Sequence, residues 1–114
     1  MMKIFYYKDI KANKVEDHEA IKTKIRTLIS EKDGARNFIM RLFEIEPGGH
    51  TPLHKHPWEH EVFIKEGEGV LVIEKRELPL KRGDVIFILP GELHQFKNNS
   101  GELLEILCLI PVKK

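Results

Sequence analysis

Twelve residues, H-T-P-L-H-K-H-P-W-E-H-E at 50–61, hold four of the six histidines of this 114-residue chain. Imidazole suits Mn, Fe, Co, Ni, Cu and Zn rather than Mg or Ca. His54 and His56 are two apart, and on a strand residues i and i+2 face the same way. Their rings can then converge on one ion, with Pro52 and Pro57 stiffening the chain on either side. His60 follows where the chain turns into a strand. There His60, Val62 and Ile64 share an apolar face, while Glu61, Phe63 and Lys65 share one with two charges. That parity selects His60 over Glu61 as the third ligand, and His94 would supply a fourth from a distant strand. Three other readings use the same residues: solvated surface histidines, a helical His56/His60 zinc pair, and a closed structural zinc site without an open position. No helical pattern follows Pro57 to support the second.

The elements that would hold these rings read as strands. The eight glycines and six prolines cut the chain into short pieces that alternate or run apolar, the pattern of a β-sandwich or barrel. Strands are expected at 3–7, 21–29, 37–46 (closed by Pro47-Gly48-Gly49), 60–66, 70–74 (as hairpin partner of 60–66), 85–89, 94–97 and 103–110. Residues 8–20 read as polar loop, with one helical turn available over 15–20. Parity places Leu104, Ile106, Cys108 and Ile110 inside and Glu105, Leu107 and Leu109 outside. Phe96 lines the same interior as His94. Arg41 shares a face with Phe43 and Ile45, where it meets either a substrate carboxylate or a nearby glutamate. Cys108 is either a group near the ion or a small buried hydrophobe. Trp58 shields the site mouth or packs at a dimer interface. His50 either supports a ligand from behind or is an unengaged loop histidine, and His18 is solvated. Glu44 faces inward only if its strand's parity is reversed.

Composition bounds the rest. The length fits one domain over 1–114, with N-terminal strands and loop at 1–36 and a barrel at 37–111. Hydrophobic residues make up 41% and charged residues 32%, with a formal net charge of +1, so no basic surface points to nucleic acid. No apolar run is long enough for a transmembrane helix, and the N-terminus lacks a signal-peptide pattern. The single cysteine excludes an internal disulfide, and a cytoplasmic protein is expected.

With these residues in view the chain resembles the cupins over about 38–110. That family's first motif is Gly, five residues, His-x-His, three or four residues, Glu, six residues, Gly. Here it reads Gly48, His54-Lys55-His56, His60 and Gly67, with His60 in the glutamate position. The second motif appears as Gly83, Pro90-Gly91, His94 and Asn98, with Leu89 where the family has proline. The resemblance, to small cupins with four histidine ligands, implies an all-β double-stranded β-helix (jelly-roll barrel). It also implies one divalent metal, manganese before Fe, Ni, Cu, Co or Zn, and a homodimer in which N-terminal strands pair across subunits. A histidine in place of the glutamate leaves about two positive charges uncompensated on an M²⁺ ion, which favours an anionic or enolate-like ligand. The expected function is metal-dependent oxygenase chemistry on a small organic molecule. The alternatives are a non-catalytic small-ligand binding module and a metal-dependent isomerase, lyase or hydrolase. No catalytic acid or base is identifiable, because no internal carboxylate stands out beside the ligands.

Overall fold

Apolar residues at alternate positions, interrupted by turn residues, produce short strands throughout the computed structural model, which describes residues 2–113. These are β1 (Asn13–Lys14), β2 (Ile21–Ile29), β3 (Phe38–His50), β4 (His60–Glu66), β5 (Glu68–Ile73), β6 (Arg76–Lys81), β7 (Val85–Ile88), β8 (His94–Lys97) and β9 (Leu104–Pro111). All pairings between them are antiparallel. The order is β6-β5-β8-β3-β9-β4-β7, with β2 added to β3 and β1 to β2. The long strand β3 curls the sheet by changing partner. Residues 38–45 pair with β9, whereas His50 reaches Lys97 on β8.

The concave side of this curl is the core. Ile45, Ile64, Ile88, Leu104 and Ile106 are fully buried and pack with Val62, Leu71 and Phe96. The alternation on β4 and β9 therefore has its expected sense: Val62 and Ile64 face in, as do Leu104, Ile106 and Cys108. The buried Asn98 ties three elements together. Its Nδ2 donates to the carbonyls of Ile45 and Glu102, and its Oδ1 accepts from Ser100. Gly67 has φ +89°, and a Cβ there would collide with the Leu103 carbonyl. Another residue at that position would be strained twice over.

Several elements differ from expectation. Residues 3–7 form no strand; the segment ends in a 3-10 turn at Tyr7–Asp9. It lies on the convex side, where the Tyr7 ring sits 5.8 Å from the Arg26 guanidinium and 4.8 Å from Lys65 Nζ. Beneath it Glu44 and Glu105 are direct cross-strand neighbours. Like charges so placed repel, and each is answered by its own cation: Arg26 at 3.0 Å from Glu44, Lys65 at 2.6 Å from Glu105. Residues 15–20 form no helical turn, and Asn13–Lys14 is a strand paired to β2 of the same chain. Pro47-Gly48-Gly49 bends β3, with Gly48 at φ +82°, but does not end it. Finally β5 makes its hairpin with β6, not β4. The turn uses Glu74 and Lys75 at φ +45° and +69°, the left-handed pair a two-residue hairpin needs. Strand β6 is hidden in the sequence because Pro79 and three charged residues mask it, which is the composition of an edge strand.

Candidate metal centre

The two histidine-bearing stretches meet through the backbone. His54 N–H donates to the His94 carbonyl at 3.0 Å, and His94 N–H donates back at 2.8 Å. His54 forms only this isolated bridge, so it and His56 lie on an extended loop, not on a strand. The His56 carbonyl accepts from Gly91 N–H at 2.7 Å, which anchors the loop to the Pro90-Gly91 turn. His60 opens β4 opposite Ile88, and His94 opens β8 opposite Ile73.

The rings cluster at the mouth of the barrel. Centroids are 5.4 Å apart for His54–His56, 5.2 Å for His56–His60, 4.9 Å for His60–His94 and 6.0 Å for His56–His94. Imidazoles bound through one nitrogen at about 2.1 Å to a common ion place their centres about 4.6 Å apart at right angles and about 5.3 Å at the tetrahedral angle. The observed spacings are close to that range. The nitrogens themselves are not yet converged. Among the described residues, the one group of three potential ligands whose atoms all lie within 4.8 Å of one another is Asp17, Glu19 and His54. His54 Nε2 is 3.2 Å from Asp17 Oδ2.

Burial favours the neutral form of three imidazoles, those of His56, His60 and His94. His60 is 5% exposed, and desolvation, reinforced by His94, His56 and Arg41, lowers its pKa to about 4. The same burial, helped by neighbouring positive charge, lowers His56. It lowers His94 against a partial opposing effect of the Glu92 carbonyl. A neutral ring offers a lone pair, which a metal requires. His94 Nδ1 lies 2.9 Å from the Glu92 carbonyl; donation there leaves Nε2 as the free lone pair. His60 Nδ1 is buried with no hydrogen-bond partner, an omission that buried polar groups rarely show. The His56 ring stacks on Trp58 at 4.7 Å and 6°, and Lys113 Nζ lies 4.7 Å from that indole. Donor chemistry, spacing and an orphaned nitrogen all fit a bound transition metal.

A cavity of about 400 Å³ opens over the rings. Phe43, Phe96, Cys108 and Arg41 form its inner wall. Arg41 is held by Phe43, 5.1 Å from its guanidinium carbon, and by a hydrogen bond from Nη2 to Cys108 Sγ at 3.2 Å. Burial pushes the Cys108 thiol pKa up, against the pull of Arg41, so it stays a thiol. Ile106 is fully buried in the core beneath and is not part of the wall. Trp58 buttresses His56 from outside the cavity. His50 sits against Thr51 and Gln95 and does not line the cavity, and His18 is exposed beside Asp17. Glu44 faces the convex side with Arg26. The outer wall was not anticipated: Lys14, Val15, Glu16 and Asp17 cross the mouth from the N-terminal segment. Their only trace in the sequence is the apolar Val15 amid charges.

A cupin domain matches residues 41–110. Over 74 residues, 61% of this chain and 61% of the relative, it is 40% identical to an oxalate-binding protein of Thermotoga maritima. The chain thus spans about three fifths of that relative. It is 27% identical to the 1-methylthio-D-xylulose 5-phosphate methylsulfurylase of Rhodospirillum rubrum, over 93% of this chain and 67% of that protein. Among solved structures, the polyketide cyclase RemF from Streptomyces resistomycificus superposes with a TM-score of 0.94 at 38% identity, covering 99% of this chain and 81% of that one. The curled sheet, the paired histidine stretches and the matched domain agree, and the chain belongs to the cupin family.

Proposed function

We propose that His54, His56, His60 and His94 hold one divalent transition metal ion, and that the cavity above them takes a small organic anion, a carboxylate or an enolate. Arg41 carries this reading. Its Nε is buried without a partner, and none of the ion pairs among the described residues includes it. A guanidinium on a cavity wall without a counter-charge is available to an anion, and its planar fork matches a carboxylate or enolate oxygen pair. Phe43 and Phe96 line the cavity beside it, and apolar walls strengthen such an attraction. A bound ion would add Lewis-acid polarisation of a ligand oxygen. His94, fixed by the Glu92 carbonyl, and His56, stacked on Trp58, hold their rings in place for it.

Oxalate binding in one relative supports a small-oxyanion pocket, beside a methylsulfurylase of 1-methylthio-D-xylulose 5-phosphate and a polyketide cyclase. None of the three is named as an oxygenase, so the dioxygenase expectation passes to experiment. Manganese is the metal the four-histidine resemblance implies, although zinc and copper bind such sites more tightly at equal availability. Among the described residues no helix is long and apolar enough to cross a membrane. The lone buried thiol suits a reducing compartment, and we place the chain in the cytoplasm as a single domain. A homodimer is part of the same proposal. Rows Val85–Phe63–Leu107 and Phe87–Glu61–Leu109 run across the convex side of β7, β4 and β9. Val85, Phe87 and Phe63 there are 79%, 53% and 44% exposed, an apolar face that a second copy would cover.

The test is elemental analysis of protein purified without added metal and again after manganese loading, followed by calorimetric titration with oxalate. One ion per chain, lost in His94→Ala, and oxalate binding only when loaded are expected. Chain that takes up no ion would refute the centre. Oxygen uptake with catechols, flavonols or β-diketones would establish redox chemistry; oxalate binding without uptake would select the binding module.

A further inference from the structure

The N-terminal segment does more than roof the cavity. Its Asp17 carboxylate is aimed by local structure: Oδ1 accepts from Glu19 N–H at 2.9 Å, and the Asp17 carbonyl accepts from Ala20 N–H at 2.9 Å. The segment itself is fastened to β2 by β1 and by Val15 N–H donating to the Thr23 carbonyl at 3.0 Å. What this fixes is the second oxygen, Oδ2, 3.2 Å from His54 Nε2. Two ligand atoms each about 2.1 Å from one ion lie about 3.0 Å apart at right angles and about 3.4 Å apart at the tetrahedral angle. The observed separation falls between them. His60 lines the same cavity, and its buried Nδ1 has no hydrogen-bond partner, an independent sign that a ligand belongs at these rings.

We propose that Asp17 is an additional, anionic residue of the metal centre, delivered from outside the barrel by the segment 11–20. The inference rests on the metal reading of the four histidines. It answers the charge problem they create. Four neutral imidazoles leave a divalent ion uncompensated, and His60 occupies the place where the family carries a glutamate. A carboxylate from the arm restores one negative charge. It also couples metal loading to closure of the mouth, because the arm is held at the ion through Asp17.

The experiment uses the full chain. Metal-free wild type, Asp17→Asn, Asp17→Glu and Asp9→Asn are titrated with Mn²⁺ while the fluorescence of the single tryptophan, Trp58, is followed. Each is also digested with trypsin, with and without Mn²⁺, scoring cleavage after Lys11 and Lys14. Asp17→Asn should weaken Mn²⁺ binding about 10- to 100-fold, the usual range for loss of a metal-supporting group. Asp17→Glu should recover part of it, and Asp9→Asn, which removes an exposed carboxylate outside the cavity, should match wild type. Mn²⁺ should protect Lys11 and Lys14 in wild type but not in Asp17→Asn. Unchanged or tighter binding by Asp17→Asn, or faster cleavage of loaded wild type, would overturn the proposal. It would mean that Asp17 competes with the ion for His54. An equal loss in Asp9→Asn would reduce the effect to the general charge of the N-terminal segment and overturn Asp17's specific role. Wild type that binds no Mn²⁺ would sink the centre along with it.

Discussion

Replacing Arg41 with methionine separates stability from binding. In the metal-free chain the guanidinium has two favourable contacts. The cation–π contact with Phe43 contributes about 1 kcal/mol, and the bond to the Cys108 thiol contributes about 1 kcal/mol or less. Against them stands a half-buried charge without an ion pair, whose unsatisfied Nε costs about 1–3 kcal/mol. Methionine preserves much of the volume and removes that cost, so Arg41→Met should unfold within about 1 kcal/mol of wild type, or later. Binding should respond differently. A charge-assisted hydrogen bond contributes about 1.5–3 kcal/mol, which is about a 10- to 150-fold loss of affinity for oxalate by the loaded protein. Urea unfolding of the metal-free variant and calorimetry of the loaded one measure the two quantities. Destabilisation by more than about 2 kcal/mol with unchanged oxalate affinity would show that Arg41 is a structural group, and the argument from its missing counter-charge would fail.

The depressed histidines predict how acid acts on the metal-free chain. Unfolded, His60 takes up a proton near its ordinary pKa of 6.5; folded, it does so only at about 4. Between these values the unfolded state holds more protons, so stability is full above pH 6.5 and falls as pH drops toward 4. At about 1.4 kcal/mol per pH unit the loss approaches about 3 kcal/mol from His60, with His56 and His94 acting in the same direction. Urea midpoints for wild type and His60→Gln should converge at low pH; parallel curves would contradict the burial argument. On the convex side, Val85→Glu combined with Phe87→Glu should give a monomer by analytical ultracentrifugation, with metal binding retained. A dimer that survives both charges would exclude that face as the interface.

What the sequence disclosed and what it hid have physical causes. Strands β4, β8 and β9 were legible because one side of each faces a core, which enforces a period of two. Leu104, Ile106 and Cys108 are buried while Leu107 lies outside. Strand β6 was not, because an edge strand carries its signal in backbone pairing to one neighbour only. Residues 3–7 gave a false strand: Ile4, Phe5 and Tyr6 stay exposed, and composition alone does not reveal that Tyr7 is drawn instead to Arg26 and Lys65.

The candidate centre divides along the same line. Its histidines were findable because backbone geometry limits which spacings let rings meet. The bridge between His54 and His94 makes residues forty positions apart immediate neighbours, and only the fold-wide pairing of the two motifs could signal that. Asp17 had no such signature. It sits in a polar segment whose position depends on a two-residue strand, one backbone bond to Thr23 and an aspartate turn, none of which imposes a periodicity on side chains. The expectation that no carboxylate stands beside the histidines came from searching the barrel's inward faces. The structure brings one in from the arm, and its distance to His54 is that of a neighbouring ligand. A site assembled partly from outside its scaffold is legible only to the extent that the outside segment is, so the pocket's charge must be judged on the arm as well as on the barrel.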